Sequence, residues 1–307
     1  LCENYGIQAL KLLGKKMPRK KAAIILSILK EMVIHLLYSF LPTGFFRGNP
    51  DAESKEKNKI IYSVYFIFCW SYIFYNSIKF ANSIFSLLNF SQRYMGISKE
   101  LTTSISGYAA LLMQIPFFKL ASKHHMKSIY LNKKINDKFG LAVSLLFLGF
   151  CYEWMGKYYK AITNFQQAAD YFNKIGDIKE YATALLGLIE CNIYLAQYPQ
   201  AKKINMEHRK IAVAAKDQYA IAINLVNTTM LEIERGNFVA ANHNLKEFKN
   251  IEYFNSGTAT CYMSICLGKL FIETGQIQNA QDSLLQAKKI NKDHATPKHY
   301  IINYNTL

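Results

Sequence analysis

Small and apolar residues recur along the chain with a period of about 40 residues. Alanines mark the period at Ala81, Ala121, Ala161, Ala201 and Ala241, and one residue early at Ala280. An apolar residue lies three positions before each of them, and a Gly or Ala lies five positions before several. Because these markers keep one register, the pattern predicts a structural repeat rather than a single compact core.

The stretch from 142 to 172 shows the pattern inside one unit. Residues Leu145, Leu148, Gly149 and Tyr152 fall on one face of a first helix, and Ala161, Ile162, Phe165, Ala168 and Ala169 on one face of a second. Gly156 lies between them and favours a turn, because glycine is costly inside a helix. Gly176 and Asp177 are expected to end the pair and cap the next helix. The unit is therefore predicted to be a helical hairpin that stacks on its neighbours.

This unit resembles the tetratricopeptide repeat (TPR). The matching residues are Leu148, Gly149, Tyr152, Gly156, Tyr158, Ala161, Phe165 and Ala168. The next copy departs from the pattern, with Ile189 in place of a small residue and Asn205 in place of a large apolar one. The resemblance implies an all-α fold, an α-α superhelix of TPR-like hairpins. We expect an N-terminal helical segment over 1–52 and the repeat array over 53–307.

A second resemblance concerns the order of segments. ALKLLGKKMP (9–18), a long apolar helix, SIFSLLNFSQRYMG (83–96) and then the repeats are similar to the helical region that follows the AAA-type (STAND) ATPase domain of large signalling proteins. Those proteins carry adenylate cyclase or kinase domains elsewhere. The chain has no GxxxxGK[ST] loop, so we expect a regulatory fragment without the ATPase itself.

Net charge is +16, and +13 of it lies in residues 1–140. A basic surface of this kind suits nucleic acid or an anionic membrane, but we favour a Lys-rich solvated exterior, because the basic residues are spread out. No nucleic-acid-reading motif accompanies the charge, so no specific nucleic acid is expected as a partner. Six scattered cysteines without a CxxC pair, and no signal peptide, favour buried thiols in a cytoplasmic protein.

Residues 60–78 form an uncharged stretch long enough to span a membrane. The repeat register instead places a turn at Asn76, so we interpret the stretch as the first helix of a repeat. A second apolar helix is expected over residues 22–41. It follows the basic sequence PRKK (18–21), and peripheral membrane contact remains open there.

The search for reactive groups predicts no catalytic, cofactor or metal site. His125 aligns with Phe165 and is expected in the core, and His208, Arg209 and Lys210 are expected on an outer, solvated face. No Ser/His/Asp or Cys/His set has a supporting context. The chain is accordingly predicted not to be an enzyme.

The remaining candidate is the groove that first helices line in TPR arrays. Mapping that register predicts a partner-binding groove with Phe150, Glu153, Trp154, Glu190, Tyr194, Met230, Glu234 and Glu273. The same register includes further apolar positions such as Ile193, Val226 and Ile265. An apolar and acidic groove suits a partner segment with an apolar anchor and a Lys or Arg. The competing interpretation places the apolar residues in the core and the glutamates in water.

The favoured function is a non-catalytic protein-interaction and regulatory scaffold within a larger signalling protein. Its partner would be a protein, a peptide or another domain of the same polypeptide. A membrane-associated protein that uses the basic, aromatic N-terminal half is one alternative. A nucleic-acid-binding helical solenoid is the other.

Overall fold

The computed structural model describes residues 2–40, 52–72, 76–251 and 257–294. Within these ranges the chain forms fourteen α-helices and no strand. The chain divides into two compact units, residues 1–144 and 145–307, and the division falls inside the seventh helix.

The first unit contains six complete helices and the start of a seventh. They are α1 (Cys2–Leu12), α2 (Lys21–Phe40), α3 (Ala52–Tyr72), α4 (Ser77–Tyr94), α5 (Lys99–Gln114), α6 (Phe118–Lys134) and α7 (Lys138–Trp154). Helix α4 packs against α2, α3 and α5, and α5 pairs with α6.

The second unit contains the remainder of α7 and seven further helices. They are α8 (Tyr158–Ile175), α9 (Ile178–Tyr194), α10 (Tyr198–Ala214), α11 (Gln218–Glu234), α12 (Phe238–Lys249), α13 (Gly257–Glu273) and α14 (Ile277–His294). Each helix packs against the next along the described chain, and α11 also contacts α9 and α13. This is the arrangement of stacked helical hairpins that the 40-residue period predicts.

Left-handed backbone conformations mark the turns at the repeat spacing. Gly156 has φ +70° between α7 and α8, and Ala196 takes the equivalent conformation at φ +55°. Gly176 ends α8 at φ +83°, and the Asp177 side chain accepts a hydrogen bond from the Glu180 amide to cap α9. The predicted turn and cap residues are confirmed.

The core of the second unit is built from the small and aromatic residues of the repeat. Ala161, Phe165 and Ala168 are fully buried, and Ala169 is buried beside them. The Phe165 ring lies against Gly149 of α7 and Gly187 of α9, where an added Cβ would approach ring atoms to 2.6 and 2.4 Å. The close approach explains why these two helices carry glycine there.

Serine hydroxyls take the place of apolar side chains in part of the first unit. Ser106, Ser128 and Ser144 are buried and lie within 2.9–3.1 Å of one another, joining α5, α6 and α7. Asn132 donates to two of them. Every hydroxyl in this cluster therefore has a partner, as burial requires.

The apolar stretch 60–78 is interrupted by the predicted turn. Helix α3 ends at Tyr72, and Asn76 caps α4 by accepting a hydrogen bond from the Lys79 amide. Residues 73–75 lie outside the described ranges. None of the described helices combines the length and apolarity needed to cross a membrane.

Two histidine predictions have opposite outcomes. His125 is fully buried, as its alignment with Phe165 predicts, and burial lowers its pKa to about 3. His208 is 1% exposed, so the prediction that it lies on a solvated face is wrong. The Nδ1 atom of His208 lies 3.2 Å from the Asn224 amide nitrogen, which offers the ring a polar partner inside the core.

Candidate functional site

An open cleft lies on the second unit where helices α9, α11 and α13 come together. It is shallow, and it is lined by Glu190, Ile193, Tyr194, Val226, Asn227, Met230, Tyr262 and Ile265. All three helices are the first helices of their hairpins, and their period of about 40 residues brings equivalent positions to one surface. The walls are mainly aliphatic and aromatic, and the polar groups are few.

Glu190 brings a carboxyl group to the cleft under unusual conditions. Its neighbour is the Glu153 carboxyl of α7, which is only 6% exposed. Burial raises the pKa of Glu190 to about 7. Burial, and then the nearby Glu190 charge, raise the pKa of Glu153 well above its usual range. The two carboxyls therefore share a proton near neutral pH, because two adjacent buried charges repel each other.

Among the described residues, no basic side chain forms an ion pair with either carboxyl. Apart from its contact with the Glu190 carboxyl, neither Glu153 oxygen has a hydrogen-bond partner in the described part of the chain. A carboxylate buried without a cation is destabilising. An ammonium or guanidinium group bound beside the pair would therefore stabilise it. Tyr158 lies near Glu153. Burial, and then the charge of the Glu153 carboxylate, raise the pKa of this tyrosine.

Asn227 supplies a second polar group to the cleft. The residue is 3% exposed, and its Nδ2 amide has no hydrogen-bond partner among the described residues. A buried donor without an acceptor costs about 1–3 kcal/mol. An acceptor that entered the cleft, such as a peptide carbonyl oxygen, would remove that cost.

The other predicted groove residues lie outside the cleft lining. Phe150 packs edge-to-face on Phe165 with ring centroids 5.0 Å apart, and so contributes to the hairpin core. Trp154 is half-buried at the end of α7. Glu234 forms an ion pair with Lys269 of α13, and Glu273 is exposed at the end of the same helix.

The structure thus gathers Glu190, Tyr194 and Met230 of the eight predicted residues in one cleft, with Glu153 adjoining Glu190. Sequence reasoning missed Asn227, because the repeat register assigns its position to the helix–helix contact. Its signal was an asparagine where the repeat has a small residue such as Gly187. That the eight residues form a partner-binding groove stays a prediction.

The arrangement of hairpins defines an all-α fold of the TPR-like class, and solved structures share it. An aspartyl phosphate phosphatase F from Bacillus subtilis is 12% identical, with a TM-score of 0.62. The match covers 77% of this chain and 60% of that one, so this chain spans less than two thirds of the phosphatase's length.

Two further solved structures extend the comparison. A Rap protein complexed with competence and sporulation factor is 14% identical, with a TM-score of 0.62 over 89% of this chain and 71% of that one. The apo form of RapI is 17% identical, with a TM-score of 0.60 over 95% of this chain and 99% of that one. No family model and no curated protein matches the chain. At these identities the likeness establishes the fold, and it confirms the predicted fold class.

Proposed function

We propose that this chain is a non-catalytic interaction array that binds a peptide segment of a partner in the cleft formed by α9, α11 and α13. The observation that carries the proposal is an apolar cleft that contains a carboxyl without a cation and a buried amide without an acceptor. Among the described residues, Glu190 forms no ion pair with a basic side chain, and the buried Asn227 amide has no acceptor. Few polar groups in a mainly apolar cleft are typical of sites that orient a ligand.

The chemistry of the cleft specifies the peptide it would take. An aliphatic or aromatic side chain fits between Ile193, Val226 and Ile265, and a backbone carbonyl next to it can accept from Asn227. A Lys or Arg side chain of the peptide would form an ion pair with the Glu190 carboxylate, which has only the Glu153 carboxyl beside it. One of the similar solved structures is a Rap protein complexed with competence and sporulation factor, and this supports the proposal that the present array also binds a ligand.

Two finer proposals accompany this one. The first is that the array acts in the cytoplasm, for which the buried cysteines Cys151, Cys191, Cys261 and Cys266 are the support. The second is that it regulates an attached STAND-type ATPase. That proposal rests on the order of sequence segments described above and not on the solved structures.

Selection from a peptide library tests the proposal. One library of short peptides carries an apolar residue and a Lys or Arg, and a matched library carries Gln at the basic position. We expect the full chain to enrich the basic library. Binding of enriched peptides, followed by fluorescence anisotropy, should weaken about tenfold or more in the Glu190→Gln variant, because a buried charge pair loses one partner.

Matched variants separate the cleft from the remaining acidic surface. The Glu153/Glu190/Glu234 triple Ala variant should lose basic peptides at least as strongly as Glu190→Gln, and Glu273→Gln should bind as the unchanged chain does. Equal affinity of the unchanged chain and the triple variant for basic peptides would refute the proposed site. Enrichment of the Gln library would refute the role of the carboxyl.

A further inference from the structure

Helix α2 of the first unit turns an unusually apolar face to solvent. Six large side chains are each 44–69% exposed: Ile25, Leu26, Leu29, Val33, Leu36 and Leu37. They recur at helical spacing and form one continuous stripe along the helix. Single exposed apolar residues are ordinary on a protein surface, but a stripe of this size is typical of a surface that binds a membrane or another protein.

The opposite face of α2 is attached to the first unit, so the orientation of the stripe is fixed. Ile24 and His35 are buried, and the His35 ring lies 4.7 Å from the Tyr108 ring of α5. The Asn89 amide of α4 donates both to the Glu31 backbone oxygen and to its carboxylate, at 2.8 and 2.7 Å. These contacts hold the charged group of Glu31 away from the stripe, which carries no carboxylate.

A basic cluster adjoins the N-terminal end of the stripe. Lys16, Arg19, Lys20 and Lys21 are all exposed, and the chain has seven basic and no acidic residues between Glu3 and Glu31. Basic side chains at a helix N-terminus oppose the helix dipole, so they do not serve the stability of α2. An anion close to this end would be attracted both by the side chains and by the dipole.

We propose that α2 is a lipid-binding helix that lies in the headgroup region of an anionic bilayer. The exposed stripe would enter the acyl boundary, while Arg19, Lys20 and Lys21 contact lipid phosphates at one end. Charge complementarity favours this occupant over a second copy of the chain. Two copies joined through α2 would bring two basic clusters into one assembly with no carboxylate on either stripe to balance them.

Vesicle co-sedimentation of the full chain tests the proposal. The probes are vesicles of phosphatidylcholine alone and vesicles in which about one third is phosphatidylglycerol. We expect strong preference for the anionic vesicles, and weaker binding as salt is raised. The Lys20→Glu/Lys21→Glu variant should bind at least roughly thirtyfold more weakly, since each basic residue near the surface contributes a factor of about five and the reversed charges add repulsion.

The apolar stripe is tested by Leu29→Glu/Val33→Glu, which should reduce binding more than tenfold because it places charges at the acyl boundary. The matched controls lie on the second unit: Val239→Glu, at a residue 84% exposed, and Lys202→Glu/Lys203→Glu on α10. Both should bind vesicles as the unchanged chain does. Lys20→Arg/Lys21→Arg should also keep its binding, and circular dichroism checks that every variant is folded.

Three results would overturn the proposal. The first is equal sedimentation with neutral and anionic vesicles, or with neither. The second is unchanged binding by the folded Leu29→Glu/Val33→Glu variant. The third is a dimer in solution that this variant abolishes, which would assign the stripe to a second copy of the chain.

Discussion

Two helix junctions in the second unit occupy equivalent positions 40 residues apart and are filled in opposite ways. At the first, the fully buried Phe165 ring of α8 lies between Gly149 and Gly187 on the helices to either side. At the second, Asn205 of α10 takes the place of Phe165, and Ile189 and Asn227 take the places of the two glycines. The same arrangement of three helices therefore accommodates either a buried phenylalanine ring or a hydrogen-bonded asparagine.

The second junction is held by hydrogen bonds. The Asn224 amide of α11 donates to the Asn205 side-chain oxygen at 2.7 Å and to its backbone oxygen at 2.9 Å. Asn205 donates in turn to the Thr228 hydroxyl at 2.7 Å, and His208 lies beside Asn224. Without two glycines a phenylalanine would not fit here, and the smaller asparagine is satisfied by its neighbours.

The largest expected effect on stability comes from removing the Phe165 ring. Phe165→Ala should lower the free energy of unfolding by about 3–5 kcal/mol, because the ring is fully buried and its removal leaves a cavity between three helices. Urea denaturation of the full chain measures the effect. Tyr159→Ala, at a residue 69% exposed on the same helix, is the control and should change stability by less than about 0.5 kcal/mol.

The glycines that contact the Phe165 ring provide the next test. Gly187→Ala should cost about 1–3 kcal/mol, since its Cβ would come within 2.4 Å of the Phe165 ring. A smaller side chain at 165 should relieve that contact, so Phe165→Leu/Gly187→Ala should be more stable than the two single effects predict. Strict additivity in this double-mutant cycle would show that the ring and Gly187 are not coupled.

The polar junction should be more tolerant. Asn224→Ala leaves Asn205 and His208 without their shared donor, and we expect a loss of about 1–2 kcal/mol in the same denaturation experiment. Asn242→Ala on the surface of α12 removes a local amide–backbone bond and should be nearly neutral. A loss as large as that of Phe165→Ala would mean that the two junctions do not differ as their packing indicates.

The contrast also shows what the sequence could predict. Period, hairpin boundaries and the burial of Phe165 follow from residues within one hairpin, because spacing along a helix decides which side chains share a face. The register also predicts the burial of His208, which lies 40 residues after the fully buried Ala168. What spacing within one hairpin cannot predict is its polar partner, because Asn224 lies on the following helix. A polar residue at a core position is resolved only when the neighbouring hairpin is known.

The same limit applies to the candidate site. The repeat register places Glu190, Tyr194 and Met230 on first helices, and the structure brings them to one cleft. The register cannot show that Glu153 and Glu190 meet, or that the Asn227 amide lacks an acceptor. Both depend on the offset between stacked hairpins, which side-chain packing sets.

The smallest expected effect is on the pH dependence of stability, which has opposite signs at the two junctions. Glu153 and Glu190 lie on the helices that supply Gly149 and Gly187, and burial raises the pKa of Glu190 to about 7. Between the ordinary carboxyl pKa of 4.5 and the raised value of about 7, the folded chain holds a proton that the unfolded chain has released. Stability therefore falls as the pH rises from about 4.5 through 7 and levels off above it. His208 acts oppositely, because burial lowers its pKa to about 4 and its contribution is lost as the pH falls from 6.5 through 4.

Glu190→Gln should remove most of the loss between pH 6 and 8 and should be more stable than the unchanged chain at pH 8, by roughly 1–2 kcal/mol. Denaturation at both pH values measures this, and Glu273→Gln is the exposed control. The same Glu190→Gln variant is expected to lose basic peptides. A substitution that stabilises the fold and weakens binding would show that the carboxyl is kept at a cost in stability for the partner's cation. If it neither stabilises the chain at pH 8 nor flattens the pH dependence, the buried carboxyl pair is not the titrating group.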